Sequence, residues 1–155
     1  MSRAFTREET NENAIAELGE RPVSAHRNLG TPGGLAAIDN EIATLRSDLK
    51  AAEGEGDKTR IAVLARDLRY WLSRRETAEL VPPEKGSEIV RFGMTVSLED
   101  EDGKQARWRI VGEDEADPSK GSISHVSPMA RALFGKGIGE AAVVNGREWE
   151  IVGLE

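Results

Sequence analysis

Closely spaced carboxylates are the side chains of this sequence best suited to chemistry, and they occur in two runs. The longer run occupies residues 113–118 after a predicted strand, with the sequence Glu-Asp-Glu-Ala-Asp-Pro. Carboxylate oxygens suit hard cations, but this run lacks the ligand spacing of a known calcium loop. The residues therefore favour a solvated loop or a contact for a basic partner over a metal site.

The shorter run contains Glu53, Glu55 and Asp57, separated by two glycines. Two glycines so close together favour a turn, and Asp57 can cap a following helix. From these residues alone, the three carboxylates are expected to serve solubility and helix capping.

The sequence predicts no self-contained catalytic site. The two histidines, His26 and His125, cannot pair with a cysteine, because the chain contains none. His125 is expected at the surface or at a strand end rather than as a general base. The glycines from Gly135 to Gly139 lack the preceding strand and the long following helix of a phosphate-binding loop, so they indicate a helix stop and a turn.

The composition is typical of a soluble protein with a modest core. The 155 residues are 38% hydrophobic and 32% charged, with a net charge of −7 and a pI of about 5.0. This acidic balance argues against a broad basic surface that binds nucleic acid. Because the chain lacks a signal segment and any stretch long enough to span a bilayer, we expect a cytoplasmic location and no membrane partner.

The N-terminal half is predicted to contain an extension and a helical hairpin. Residues 1–30 show no lasting periodicity and are predicted to be a flexible or loosely docked extension, with Phe5, Ile15 and Leu18 as candidate anchors. Residues 31–81 are predicted to form an antiparallel coiled-coil hairpin with arms of roughly 20 residues, or about 30 Å. Two helices packed flat on a globular core are the alternative. The apolar seams at steps of three and four are Leu35, Ile38, Ile42, Leu45, Leu49 and Ala52, then Ile61, Leu64, Leu68 and Trp71.

The C-terminal half is predicted to be a linker, residues 82–89, and a small α+β domain, residues 90–155. Short alternating segments predict several antiparallel strands, and Asn145-Gly146 predicts a tight turn between two of them. Ser127-Pro128 opens a short predicted helix from Met129 to Phe134, which Gly135 ends. The predicted fold class is therefore α+β, with a helical hairpin followed by an antiparallel β domain that has one short helix.

A nearly continuous pattern runs through this C-terminal domain. It comprises Ile-Val-Gly-Glu-Asp-Glu-Ala-Asp at residues 110–117, Gly-x-Ile-Ser at 121–124, and Ser-Pro-Met-Ala-Arg-Ala-Leu at 127–133 with Gly-Lys close behind. The pattern resembles the C-terminal domain of the Gre transcription factors, GreA and GreB. The resemblance implies a fold similar to FK506-binding proteins and a domain that docks on RNA polymerase. The candidate contacts that it implies are Asp114, Glu115, Asp117, Ser127, Pro128, Met129 and Arg131.

The hairpin carries a weaker likeness, because Thr-Pro-Gly-Gly-Leu at residues 31–35, with Glu41 further on, is similar to the opening of the Gre hairpin. In that family the hairpin enters the secondary channel of RNA polymerase, and tip carboxylates help to hold a second magnesium ion at the polymerase's own active site. The resemblance implies this role for Glu53, Glu55 and Asp57. The family's Gly-Asp-x-Ser-Glu-Asn tip is missing and the arms are shorter, so we expect weak or absent stimulation of transcript cleavage.

The sequence thus predicts a Gre-like elongation regulator that is not an enzyme. Its expected partner is core RNA polymerase, and it meets nucleic acid only indirectly, within the transcription complex. No stably bound cofactor is expected, and Mg²⁺ only as an ion shared with the polymerase. One alternative is a polymerase-binding competitor without cleavage activity, like the regulator of nucleoside diphosphate kinase. A second is a peptidyl-prolyl isomerase, suggested by fold alone and disfavoured by the 5% aromatic content.

Overall fold

The computed structural model of the chain describes residues 13–155, which form two compact units. The first unit contains residues 13–25 and 37–77, and the second contains residues 26–36 and 78–155. The candidate anchor Phe5 lies outside the described residues. The predicted flexibility of the N-terminal extension, residues 1–30, stays a prediction.

Two long helices make up most of the first unit. Helix α1 spans Pro32–Glu55, with its first residues in the second unit, and helix α2 spans Lys58–Thr77. Two residues, 56 and 57, separate the two helices, which confirms the predicted helical hairpin. One apolar stripe runs along α1 with the spacing of a 3.6-residue helix. The stripe is at most 7% exposed and consists of Ile38, Ile42, Leu45 and Ala52.

The turn between the two helices is shorter than the sequence predicts. The run of residues 53–57 is predicted to end the first helix, yet α1 continues to Glu55. One interior glycine costs a helix only about 1 kcal/mol, so Gly54 does not interrupt it. The helix ends at Gly56, whose φ is +67°. The arms of 24 and 20 residues are about 36 and 30 Å long.

Two short strands of the second unit flank the hairpin in the chain. Strand β1 (Leu29–Gly30) pairs in parallel with strand β2 (Glu79–Leu80). The Glu79 N–H donates to the carbonyl of Asn28 at 2.8 Å, and the Val81 N–H donates to the carbonyl of Gly30 at 2.9 Å. The structure thus groups residues 26–36 and 78–81 with the C-terminal domain, whereas the sequence assigns them to the extension and the hairpin.

A five-stranded sheet and one short helix form the rest of the second unit. The strands are β3 (Thr95–Asp100), β4 (Gln105–Val111), β5 (Ser122–Ser124), β6 (Ala141–Val144) and β7 (Arg147–Leu154), and helix α3 is Pro128–Leu133. Their order in the sheet is β5-β4-β3-β7-β6. Asn145 and Gly146, between β6 and β7, have φ values of 53° and 74°, which confirms the predicted tight turn.

One pairing in this sheet differs from the predicted antiparallel arrangement. Strand β3 runs antiparallel to β4 and β7, and β6 runs antiparallel to β7, but β5 runs parallel to β4. The acidic run and a 3₁₀ turn over Pro118–Lys120 carry the chain back along β4, as a parallel pair requires. The sheet is therefore mixed, and the α+β class is confirmed.

The core of the second unit lies between the sheet and α3. Strand β3 alternates buried and half-buried residues along its length, as a strand with one face on a core does. No helix described within residues 13–155 has both the length and the apolar character needed to cross a membrane. The fully buried apolar residues of this core are Val90, Val96, Leu98, Ile110, Ala130, Leu133 and Ile151.

Candidate functional site

The acidic run leaves β4 at a point where two backbones touch. A Cβ atom on Gly112 would lie 2.3 Å from the carbonyl oxygen of Leu29, so only glycine allows β1 to approach here. Further along, Asp117 accepts hydrogen bonds from the Ser119 hydroxyl at 2.5 Å and from the Ser119 N–H at 3.1 Å. The hydroxyl bond above all lowers the pKa of the Asp117 carboxyl. Asp117 therefore caps the 3₁₀ turn that closes the loop.

Glu115, in the middle of the acidic run, binds the start of α1. Its Oε2 accepts a hydrogen bond from the Thr31 hydroxyl at 2.6 Å, and the same hydroxyl oxygen accepts from the Gly34 N–H at 3.0 Å. Thr31 is 2% exposed, and a Cβ on Gly34 would lie 2.6 Å from Glu115 Oε2. Glu115 also lies 3.9 Å from the Arg109 guanidinium. Within the second unit, Glu115 thus fixes the first turn of α1 to the acidic run.

Helix α3 begins as the sequence predicts. Ser127 is its N-cap and accepts a hydrogen bond from the Ala130 N–H at 3.3 Å, and Pro128 stands at the first helical position. Met129 packs partly buried against the core, whereas Arg131 is exposed. The helix ends one residue earlier than predicted, with Phe134 as its C-cap.

His125 lies within electrostatic range of both the acidic run and α3. Burial lowers the pKa of its imidazole, the Glu113 carboxylate opposes this effect, and the charges of His26 and Arg131 act in the same direction as burial. Its ring meets the Phe92 ring edge-on at 5.6 Å between centroids. In the part of the chain that the structure describes, its buried Nε2 has no hydrogen-bond partner. The pKa of His125 therefore depends on charges from both the acidic run and α3.

The candidate contacts divide by what they do in the fold. Asp117 and Ser127 cap helical turns, Glu115 holds Thr31, and Asp114 is half-buried, which leaves Arg131 as the exposed charge. Their role as polymerase contacts stays a prediction. The bond between Thr31 and Glu115 could not be predicted from local pattern, because the two residues are 84 positions apart in the chain.

The hairpin tip is a direct junction of two helix caps. The Gly56 N–H donates to the Glu53 carbonyl and the Asp57 N–H to the Ala52 carbonyl, both at 3.2 Å, which is the hydrogen-bond pattern of a Schellman motif. Asp57 is at once the N-cap of α2, because its Oδ1 accepts from the Arg60 N–H at 3.1 Å. Gly56 and Asp57 therefore make up the whole turn.

All three tip carboxylates are exposed, and two of them have partners within the tip. Glu55 Oε2 lies 3.4 Å from the Arg60 guanidinium, and Asp57 caps α2. Over residues 13–155, no group of three or more acidic or histidine side chains is arranged to hold a metal ion. The tip is therefore an exposed acidic surface.

The chain thus combines a helical hairpin that has an acidic tip with a mixed-sheet domain that has an acidic loop. The family model described as "Transcription elongation factor, GreA/GreB, C-term" matches residues 85–155. The transcription elongation factor GreA of Anaeromyxobacter sp. (strain K) is 35% identical, and the match covers 78% of this chain and 87% of that protein. The transcription elongation factor GreB of Neisseria meningitidis serogroup B is 33% identical, with 83% and 94% covered.

The chain therefore belongs to the GreA/GreB family of transcription elongation factors. This membership confirms the predicted family and confirms a factor rather than an enzyme, so the isomerase alternative is wrong. Among solved structures, the GreA factor homolog 1 (Gfh1) protein of Thermus thermophilus matches with a TM-score of 0.41 and 19% identity, over 84% of this chain and 99% of that one. A GreA/GreB elongation factor from Nitrosomonas europaea matches with a TM-score of 0.40 and 22% identity, over 83% and 98%.

Proposed function

We propose that the chain binds bacterial RNA polymerase through its second unit and presents the hairpin to the secondary channel, with little or no stimulation of transcript cleavage. Support comes from the relatives, which are transcription elongation factors and are covered over most of their length. In this proposal the chain acts in the cytoplasm and meets DNA and RNA only within the transcription complex. Any Mg²⁺ is shared with the polymerase.

The arrangement of the tip is the observation that carries the expectation of weak cleavage. Two-metal hydrolysis needs an added ion held about 4 Å from the first, by carboxylates that are available to it. Here Glu55 lies beside the Arg60 guanidinium and Asp57 caps α2. A turn of only Gly56 and Asp57 also leaves the tip little freedom to reach further. The same features favour a second candidate function, a competitor that occupies the channel without assisting cleavage.

Docking is tested by charge reversal on the second unit. We expect Arg131→Glu to weaken binding to purified core polymerase by about 3- to 10-fold at low salt, mainly through the association rate, because exposed interface charges steer the encounter. Asp114→Lys is expected to act in the same way. Arg91→Glu is the matched control, since Arg91 is an exposed arginine of the same unit. Equal affinity of folded Arg131→Glu, Asp114→Lys and parent proteins would show that the acidic run and α3 are not the docking surface.

Cleavage is tested in backtracked elongation complexes. The parent is compared with a variant that carries Glu53→Gln, Glu55→Gln and Asp57→Asn, in which asparagine preserves the helix cap. We expect weak or no cleavage by either protein, and competition by both against a GreA that stimulates cleavage. Robust cleavage by the parent that the triple substitution abolishes would refute the proposal of a non-cleaving factor.

A further inference from the structure

The chain segment before the hairpin lies on helix α2. We call residues 13–25 the strap; they belong to the same compact unit as the hairpin. The Glu20 carboxylate accepts hydrogen bonds from Arg69 Nε at 3.0 and 3.1 Å and from Arg69 Nη2 at 2.6 Å. Next to it, the Arg21 guanidinium lies 3.5 Å from Asp67 Oδ1 and 3.9 Å from the centroid of the Tyr70 ring.

Burial differs between the two helices of the hairpin. In α1, buried residues such as Ile42 and Leu45 are separated by exposed ones, which is the pattern of a helix with one covered face. In α2, by contrast, every residue from 61 to 68 is half-buried and none is exposed. In the strap, Ile15, Leu18 and Arg21 are half-buried at three-residue steps, and of these Arg21 contacts Asp67 and Tyr70 of α2.

The contacts that hold the strap are of the kind that opens readily. The Glu20 and Arg69 side chains are 64% and 56% exposed, and exposed ion pairs contribute little to stability and are screened by salt. The stack of Arg21 on Tyr70 is better shielded, because Arg21 is half-buried. The strap is therefore positioned by specific contacts without being tightly fixed.

We propose that the strap is an autoinhibitory cover, which must leave α2 before the hairpin can enter a channel that accepts two helices. This inference rests on the proposed function. Each arm of the hairpin, as a helix with its side chains, is about 10–12 Å across. A third chain segment that lies on α2 therefore makes the hairpin substantially wider than two helices. The strap-bound form is the resting form, and apparent affinity for the polymerase is reduced by the fraction of molecules that are covered.

The position of the strap can be measured in the full chain. Because the chain contains no cysteine, Ala16→Cys and Glu76→Cys give two unique spin-label sites at exposed positions. We expect a narrow distribution of label-to-label distances in the parent background. Glu20→Ala with Arg21→Ala is expected to broaden it, and Tyr70→Leu is expected to do the same from the α2 side. Glu84→Ala with Lys85→Ala, an exposed acid–base neighbour pair in the linker, is the matched control and should leave it narrow.

The regulatory effect is measured as affinity for core polymerase with the same proteins. We expect Glu20→Ala with Arg21→Ala to bind about 3- to 10-fold more tightly than the parent. This difference in affinity between the variant and the parent should become smaller as the salt concentration rises from about 50 to about 300 mM, because salt screens the ion pairs that hold the strap on α2. A broad distribution of label-to-label distances in the parent overturns the inference. The inference also fails if the parent has a narrow distribution but the variant with Glu20→Ala and Arg21→Ala binds the polymerase no more tightly than the parent. If no form binds polymerase, the proposed function fails, and the spin labels still decide separately whether the strap is docked.

Discussion

The Thr31 hydroxyl makes two bonds that belong to different parts of the chain. It caps α1 by accepting from the Gly34 N–H, and it donates to a carboxylate of the acidic run. Thr31→Val keeps the shape of the side chain but removes both bonds and leaves Glu115 facing an apolar group. Losing a cap costs about 1 kcal/mol, and losing a bond to a charged partner costs about 1.5–3 kcal/mol.

We therefore expect Thr31→Val to lower the free energy of unfolding by about 2–4 kcal/mol, measured by urea denaturation. Thr44→Val, on the exposed face of α1, is the matched control and should change it by less than about 0.5 kcal/mol. Thr31→Ser keeps the hydroxyl and should recover most of the loss. A valine variant as stable as the serine variant would show that the bond to Glu115 contributes nothing.

His125 gives the second unit a dependence on pH whose sign follows from burial. Because the pKa of His125 is lowered in the fold, the unfolded chain binds the proton more readily. The stability that neutral His125 contributes is fully present above the pKa of a free histidine, about 6.5, and is lost as the pH falls below that pKa. We expect His125→Gln to reduce the loss of thermal stability between about pH 7.5 and pH 5.5. A loss of thermal stability in His125→Gln as large as in the parent would contradict the assignment.

At the scale of secondary-structure elements, the end of helix α1 at the hairpin tip sets different requirements for two nearby glycines. Gly54 lies inside α1, and a Cβ added there would meet no atom within 4 Å, whereas Gly56 ends the helix at a φ of +67°. Alanine is the better residue inside a helix, and glycine is the better one at positive φ. Two glycines separated by one residue thus have opposite structural requirements.

We expect Gly54→Ala to stabilise the hairpin by about 0.5–1 kcal/mol and Gly56→Ala to destabilise it by about 1 kcal/mol. Thermal unfolding followed by circular dichroism at the helical band measures both, and each variant is the control for the other. The same sign for both substitutions would mean that the helix does not end at Gly56.

Which elements the sequence could predict depends on how far apart in the chain the interacting residues are. The seam from Ile38 to Leu45 and the caps at Thr31, Asp57 and Ser127 depend on neighbours a few residues away, so local pattern reveals them. The length of α1 was predicted too short, because a helix tolerates one glycine that sequence rules treat as a break. The pairing of β1 with β2 and the parallel β4–β5 pair join segments without complementary sequence signals, and the sequence therefore could not predict them.

At the scale of the whole molecule, the second unit is discontinuous in the chain. Residues 26–36 supply β1 and the start of α1, and residues 78–155 supply the rest. We expect the second unit to fold when residues 37–77 are replaced by a short Gly/Ser linker, since loop-closure entropy changes only slowly with loop length. A fragment of residues 78–155 lacks β1 and Thr31, so its unfolding midpoint should be lower. Heat denaturation of the two proteins tests this, and equal midpoints would show that residues 26–36 add no stability.

The position of the hairpin between β1 and β2 has a consequence for how members of such a family can diverge. Both ends of the insertion are held by one strand pair, so its length is not tied to the sequence of the domain that holds it. Adding seven residues to each arm keeps the apolar seam on the same face and moves the tip outward by about 10 Å. Matched heptads in the two arms can thus set the length of the hairpin while the β1–β2 strand pair stays the same. Reach and docking can then evolve as separate traits.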